Sequence, residues 1–336
     1  MTALQNFLTE ISPIEFTQNA AEVAAKSRDY FWYSPILTEL LDGKVGDVVV
    51  TPRTQEEVVR VAAACARHRI HITLRGGGTG NYGQCVPMEG GVILDITQLN
   101  SVLNIAEGAV TCQAGILIAD LERAVRASDV VPGGQEILMY PSTRDIATIG
   151  GFIAGGYAGA GSVRNGILKD AGNVTMIRVV TLETIPQVIE LLGSDIQKVH
   201  HAYGTNGIIT ALTLRLQPAV EWVHQISLFD SYSTALRFGC EATEAIGASV
   251  DAFLITAVER RMAPYYQSTF GERFPVNKDA VFSMVHPAHL TAWRALLAKH
   301  GGTESMALTE SQFENRKTPP GLRVCLQPHH AGGVKS

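Results

Sequence analysis

The sequence predicts an α+β protein of two domains. Its 336 residues can bury a sizeable core, and its 46% hydrophobic and 18% charged residues are typical of a globular chain. Residues 47–74 have the pattern of a strand, a helix and a second strand, followed by a loop rich in glycine. Residues 221–300 alternate strand-like and helix-like segments, and strands that need not be parallel favour an α+β arrangement there.

The strand–helix–strand unit begins with a strand over Asp47–Thr51. Thr54 and Glu57 then have the spacing of a capping box, and apolar residues recur at helical spacing up to Cys65. Alternating apolar residues over Ile70–Leu74 predict a half-buried second strand, which a right-handed crossover would set parallel to the first. The next loop therefore leaves the carboxyl end of a strand, where α/β sheets usually bind ligands.

That loop reads Arg75-Gly76-Gly77-Gly78-Thr79-Gly80-Asn81-Tyr82-Gly83-Gln84. Glycine lets the backbone take positive φ and approach a ligand closely, and successive N–H groups can then form a nest that suits a phosphate. Its end fits the letters of a GxGxxG dinucleotide motif, but Pro87 and the pair Gly90-Gly91 disfavour the helix that this motif must open. The run Val92–Ile96 predicts a strand instead, and no Gly-Lys-Ser/Thr completes a Walker A loop. A tight surface loop without a ligand is the alternative.

Two more segments with glycine motifs follow downstream. Pro141-Ser142-Thr143 precedes a glycine-rich run over residues 147–159, and a third segment covers residues 203–210. The three segments in this order resemble the p-cresol methylhydroxylase-type (PCMH-type) FAD-binding domain of FAD-linked oxidases and dehydrogenases. That family includes vanillyl-alcohol oxidase and the glycolate oxidase flavoprotein subunit. The resemblance covers about residues 45–220, and although each motif alone is weak, the ordered set is specific.

The resemblance implies a vanillyl-alcohol-oxidase-type domain over residues 47–219, with FAD extended between two α+β subdomains. An N-terminal arm over residues 1–46 would precede it, and an α+β substrate or cap domain over residues 220–316, expected to be incomplete, would follow. Periodicity stops in the irregular tail over residues 317–336, where relatives would continue with a Tyr-Glu-Tyr-x-Trp-Asn-His-Thr stretch. We interpret the tail as the product of a frameshift that truncates the cap; a disordered terminus is the alternative.

The resemblance also implies which residues contact the cofactor. The backbone of the first loop would contact the pyrophosphate, the second glycine region would line the other side, and the backbone of an Ile-Ile pair would face the adenine. Strand core is the alternative for that pair, and it does not conflict with backbone contacts. The predicted cofactor-binding residues are Gly76, Gly77, Gly78, Thr79, Gly80, Gly83, Gln84, Pro141, Ser142, Thr143, Thr148, Gly150, Gly151, Ile208 and Ile209.

The sequence departs from the family pattern at two places. Some members attach FAD through a histidine of the first loop, where this chain has Thr79, so we expect non-covalent FAD. The usual Gly-Ser-Glu-Gly-Thr-Leu-Gly reads His201-Ala202-Tyr203-Gly204-Thr205-Asn206-Gly207, without the acidic member and directly after His200. The substrate therefore cannot be copied from better-known relatives.

The family resemblance implies an FAD-dependent oxidoreductase that oxidises a small alcohol or 2-hydroxy acid by hydride transfer to flavin N5. A substrate carboxylate would need a cation, for which Arg144, Arg164 and Lys169 are candidates, although such residues are more often surface charges. No catalytic base is identified beyond the weak candidates His200 and His201. The alternatives are a catalytically inactive FAD-binding remnant and, less favoured by the glycine segments, a structural protein without a cofactor.

The predicted partners are a small-molecule substrate and an electron acceptor that the sequence does not identify. The sequence is also compatible with a homo-oligomer. The net charge of −5 argues against nucleic acid, and the apolar run over residues 146–162 is short and too glycine-rich for a membrane span. The pair His286 and His289 is too small a ligand set to predict a metal site. Five scattered cysteines and a terminus without a signal pattern predict reduced thiols and a cytoplasmic location.

Overall fold

The computed structural model describes residues 2–29, 33–309 and 311–312. Its mixed helices and sheets confirm the predicted α+β class. The helices are α1 (Ala3–Ile11), α2 (Ala20–Lys26), α3 (Pro35–Leu41), α4 (Gln55–His68), α5 (Ile118–Arg126), α6 (Ile149–Gly155), α7 (Ser162–Asn165), α8 (Tyr232–Glu244), α9 (Ala263–Phe270) and α10 (Leu290–Lys299). The strands are β1 (Phe16–Thr17), β2 (Val48–Val50), β3 (Ile72–Arg75), β4 (Val92–Asp95), β5 (Val102–Ala106), β6 (Ala109–Gln113), β7 (Gln135–Ile137), β8 (Val174–Val180), β9 (Val188–Leu192), β10 (Ile208–Pro218), β11 (Val223–Phe229), β12 (Ala252–Val258), β13 (Asp279–Val285) and β14 (Thr303–Thr309).

The chain divides into two compact units. The first consists of residues 1–137, 144–157 and 168–218, and the second of residues 138–143, 158–167 and 219 onward. Two short segments that the sequence analysis assigned to the FAD-binding domain therefore belong with the second unit. The predicted tail over residues 317–336, and with it the frameshift hypothesis, lies outside the described residues.

The first unit contains a small sheet that carries the first glycine loop. Its order is β1-β2-β4-β3, and β2 and β3 each pair in parallel with β4. The two strands of the predicted unit are thus parallel, but β4 lies between them, because its wholly buried residues need neighbours on both sides. Helix α4 begins as predicted, with Thr54 Oγ1 accepting from Glu57 N at 3.2 Å. The Glu57 carboxylate accepts from Arg53 N at 2.6 Å, one residue earlier than a capping box requires.

The same unit contains a larger, antiparallel sheet in the order β5-β6-β10-β8-β9, with β7 beside the end of β10. Strand β10 lies at its centre, and Leu212 pairs with Cys112 on one side and Ile177 on the other. Helix α5 contacts β7 and buries Leu121 and Val125. The predicted strand over Ala109–Gln113 is confirmed.

The second unit is built on an antiparallel sheet in the order β12-β13-β11-β14. Helices α8 and α10 bury Phe238 and Trp293, whose rings meet edge to face at 5.0 Å, in a core shared with Val281 of the sheet. A separate core contains Tyr266 of α9 and Phe282 of β13. The predicted alternation of strands and helices after residue 220 is therefore confirmed, with β14 and α9 as additions.

The run over residues 146–162 contains one short helix, α6, and ends at Ser162, where α7 begins. Among the helices that the structure describes, none is long and apolar enough to cross a membrane. His286 Nδ1 accepts from Ala288 N at 3.2 Å, and His289 Nδ1 lies 3.1 Å from the Ser249 carbonyl oxygen.

Candidate functional site

The first glycine loop follows β3 and presents a row of backbone donors. Within the described part of the chain, the N–H groups of residues 76–81 have no protein acceptor. The next two are used, because Tyr82 N donates to Gln84 Oε1 at 3.0 Å and Gly83 N donates to Asp29 Oδ2 at 2.7 Å. Gly78 and Gly83 have φ of 64° and 80°, a region that favours glycine. A run of N–H groups without a protein acceptor is a donor set that a pyrophosphate can use.

The second glycine region packs directly against this loop. A Cβ on Gly76 would lie 2.2 Å from Thr148 Oγ1, and a Cβ on Gly77 would lie 2.0 Å from the Ile146 carbonyl oxygen. Gly150 N donates to the Ala114 carbonyl at 2.8 Å, and Gly151 N donates to Thr148 Oγ1 at 3.2 Å. The region therefore supports the first loop by close contact, while the N–H groups of Gly150 and Gly151 are bonded within the protein.

The other predicted residues have different surroundings. Ile208 and Ile209 are buried in β10, opposite Val180 and Val179 of β8. The segment 141–143 belongs to the second unit. The structure thus brings residues 76–84, 148–151 and 208–209 into one unit; their contacts with FAD stay a prediction.

The departure from the family motif produces a strained turn. His201 and Tyr203 have φ of 55° and 51°, which costs about 1–3 kcal/mol for each residue. Two hydrogen bonds to the end of α6 hold the turn, from His201 N to Ile153 O at 3.1 Å and from Tyr203 N to Ala154 O at 3.0 Å. Gly156, after α6, lies so close that a Cβ would be 2.3 Å from Cγ of His201.

His200 is a poor candidate for a general base. Its side chain is buried, and neither ring nitrogen has a partner among the described residues. Burial, together with the neighbouring His201 and Lys169, lowers the pKa of His200. A lowered pKa keeps the imidazole neutral and weakens it as a proton acceptor.

Of the three candidate cations, Arg164 is engaged in an ion pair, Arg144 is buried and Lys169 is exposed. Arg164 Nε lies 2.7 Å from Asp251 Oδ1, and its guanidinium stands 5.9 Å from the Trp222 ring centroid. Arg144 is buried, 3.7 Å from a carboxylate oxygen of Asp145. Arg164 is therefore committed to an ion pair and not presented as a free cation.

The sequence analysis did not identify two residues, Arg75 and Asp29, whose hydrogen bonds hold the ends of the first glycine loop. Arg75 Nη1 donates to the carbonyl oxygens of Lys26 at 2.9 Å and Arg28 at 2.6 Å. Asp29 accepts from Gly83 N and from the Cys85 thiol. Burial, followed by the Asp29 charge, raises the pKa of Cys85 to about 12. A charged residue directly before a glycine run was the available signal for Arg75, whereas Asp29 is too distant in sequence to be connected to the loop.

Comparison with known proteins agrees with this geometry. Residues 46–184 match the family model described as FAD binding domain. Residues 46–184 therefore form an FAD-binding domain of the kind that PCMH-type FAD-linked oxidases and dehydrogenases contain, and FAD is the cofactor.

Curated relatives extend the comparison. The chain is 30% identical over 185 residues to "Glycolate oxidase subunit GlcD" of Bacillus subtilis (strain 168), covering 52% of this chain and 38% of the relative. It is 32% identical over 200 residues to "D-lactate dehydrogenase" of Anaerostipes hadrus, covering 55% and 39%. It is 29% identical over 180 residues to the mitochondrial "D-2-hydroxyglutarate dehydrogenase" of Rattus norvegicus, covering 51% and 32%. The matched part thus spans well under half the length of these relatives.

A solved structure of alkyldihydroxyacetonephosphate synthase has the same fold. Its TM-score is 0.74 at 18% sequence identity, and the match covers 91% of this chain and 64% of that chain. This likeness concerns the fold alone.

Proposed function

We propose that this chain is an FAD-dependent oxidoreductase that oxidises a small 2-hydroxy acid. The observation that carries the proposal is the row of free N–H groups over residues 76–81, braced by the second glycine region. The names of three relatives state glycolate, D-lactate and D-2-hydroxyglutarate, which are all 2-hydroxy acids. These shared names favour a substrate of that class.

Residues of the first loop would hold the diphosphate of FAD through their backbone. The formal net charge of −5 gives no general attraction for a dianion, so local N–H dipoles would have to supply it. Thr79 stands at the loop position where some relatives have a linking histidine, and a threonine hydroxyl cannot form that link. The FAD would therefore be non-covalent.

The flavin supplies the acceptor for the hydride equivalent that leaves the alcohol carbon. The residues of this chain would bind and orient the cofactor and would prevent competing reactions. His200 contributes no strong base, because its pKa is lowered. Arg164 contributes no free positive charge, because Asp251 neutralises it.

The test begins with the visible absorption spectrum of the purified chain, supplemented with FAD and then freed of excess. Flavin bands that move into the supernatant after acid precipitation are expected for non-covalent FAD, whereas colour in the pellet would refute that part. Anaerobic addition of glycolate, D-lactate or D-2-hydroxyglutarate is then expected to bleach the flavin with at least one of them. A chain that takes up no FAD would refute the proposal, and a bound flavin that none of the three acids bleaches would refute the substrate class.

A further inference from the structure

Two hydrogen-bonded pairs of side chains, in contact with each other through their rings, adjoin the first glycine loop. Gln84 Oε1 accepts from Tyr82 N at 3.0 Å, and Gln84 Nε2 lies 3.4 Å from the Tyr157 hydroxyl. His201 Nε2 lies 3.1 Å from the Tyr203 hydroxyl. The rings of Tyr157 and His201 lie 6.5 Å apart, centroid to centroid, so a ring contact joins the two hydrogen-bonded pairs. Burial, followed by the neighbouring Tyr203, raises the pKa of Tyr157 to about 12. We call Gln84, Tyr157, Tyr203 and His201 the tyrosine staple.

The staple reaches the loop through the amide of Gln84. A Cβ on Gly80 would lie 2.5 Å from Gln84 Nε2, so the amide packs directly on the loop backbone. Because Tyr82 N is a donor only, the amide of Gln84 cannot flip without losing its bond to the loop, and its nitrogen is thereby directed at the Tyr157 hydroxyl. The amide therefore fixes residues 80–82 next to the row of free N–H groups.

The other end of the staple is built on strained backbone. His201 and Tyr203 are bulky residues at positive φ, a combination that is rare without a reason. Their strain brings the two rings together at 5.3 Å in an edge-on arrangement. Gly156 leaves the space that the imidazole needs. Strain of this kind persists where the surrounding structure uses the resulting geometry.

We propose that Tyr157, Tyr203 and His201 are positioning residues that hold Gln84 and thereby set the affinity of the loop for FAD. A loop that is already fixed loses less conformational entropy when it binds a ligand. The proposal rests on the placement of FAD at residues 76–84 given under the proposed function. It assigns to the divergent motif a role that the Gly-Ser-Glu-Gly sequence of relatives could not fill with the same side chains.

The test measures FAD affinity, by flavin fluorescence titration of the full-length apoprotein. Tyr157→Phe removes one hydroxyl and keeps the ring, and it is expected to weaken FAD binding about tenfold. Gln84→Ala is expected to do the same, and the double variant should be no weaker than the weaker single variant, because both changes break one link. Tyr232→Phe, in α8 of the second unit, is the matched control and should bind FAD like the wild type.

His201→Gly separates positioning from general stability. Glycine relieves the positive φ while it removes the imidazole, so the apoprotein should unfold at the same or a higher temperature although FAD binds about tenfold more weakly. A lower unfolding temperature that accounts for the weaker binding would overturn the positioning role. If the wild type binds FAD and Tyr157→Phe binds it equally well, this proposal alone fails. If the wild type takes up no FAD, the placement of the cofactor fails with it.

Discussion

Alanine at Gly77 should abolish most FAD binding, whereas the effect of alanine at Gly76 should be partly reversed by a second substitution. A Cβ at Gly77 would meet the Ile146 carbonyl oxygen at 2.0 Å, and an ordinary contact needs 3.4 Å, so backbone must move. Displacing the loop removes one or two charge-assisted hydrogen bonds to the pyrophosphate, each worth about 1.5–3 kcal/mol. We expect Gly77→Ala to weaken FAD binding about 100-fold.

The clash at Gly76 is with a side chain, which makes a rescue experiment available. Its Cβ would lie 2.2 Å from Thr148 Oγ1 but 3.4 Å from Thr148 Cβ, so removing the hydroxyl removes the overlap. Thr148→Ala by itself loses the cap of α6, at a cost of about 1 kcal/mol in stability. The double variant Gly76→Ala/Thr148→Ala should therefore bind FAD more tightly than Gly76→Ala alone.

The assay is fluorescence titration of each apoprotein with FAD, with unfolding temperatures recorded alongside. Gly239→Ala is the control, because it lies in α8 and its Cβ would meet only Ile255 Cγ2, at 3.7 Å. Thr148→Ala should not rescue Gly77→Ala, since the obstacle there is backbone. If Gly77→Ala binds FAD as tightly as Gly239→Ala, the loop does not hold the cofactor in the way we describe.

Three other predictions concern buried polar groups. In a Cys325→Ser background, a thiol reagent at pH 8 should modify exposed Cys240 quickly and buried Cys85 slowly, because the pKa of Cys85 is raised to about 12; equal rates would contradict this. The pKa of His200 lies below its usual 6.5, so the unfolded chain binds that proton more tightly and stability should fall as pH drops below 6.5. Unfolding temperatures of wild type and His200→Asn at several pH values check this, and equal pH dependence would refute it. Ser283→Ala should raise the urea midpoint, by about 1 kcal/mol of stability, because the buried hydroxyl has no partner within the described residues; a lower midpoint would show that the hydroxyl is satisfied.

Periodicity and glycine placement predicted most of the fold. The strand over Ala109–Gln113 and the alternation after residue 220 were confirmed because each depends on local patterns of apolar residues. The neighbour of β2 was not predictable in the same way, because β4, which begins 42 residues after β2 ends, lies between β2 and β3 and is buried on both faces. The edge strand β9 was missed because its residues are mostly exposed and give no alternation.

Two different physical requirements explain why the first loop contains glycine at these positions. Gly76 and Gly77 are needed because the second glycine region approaches their Cα atoms, while Gly78 and Gly83 are needed for positive φ. From the sequence, every glycine of the loop was interpreted as a position where a ligand can approach closely. The packing of the second glycine region against the first loop could therefore not be predicted. It also interpreted the divergent motif as the loss of the family's acidic residue and considered His201 only as a weak candidate base. The structure shows that the same positions carry backbone strain, a hydrogen bond between His201 and Tyr203, and a ring contact with Tyr157, whose hydroxyl lies beside Gln84. A departure from a family motif can therefore replace one support by another.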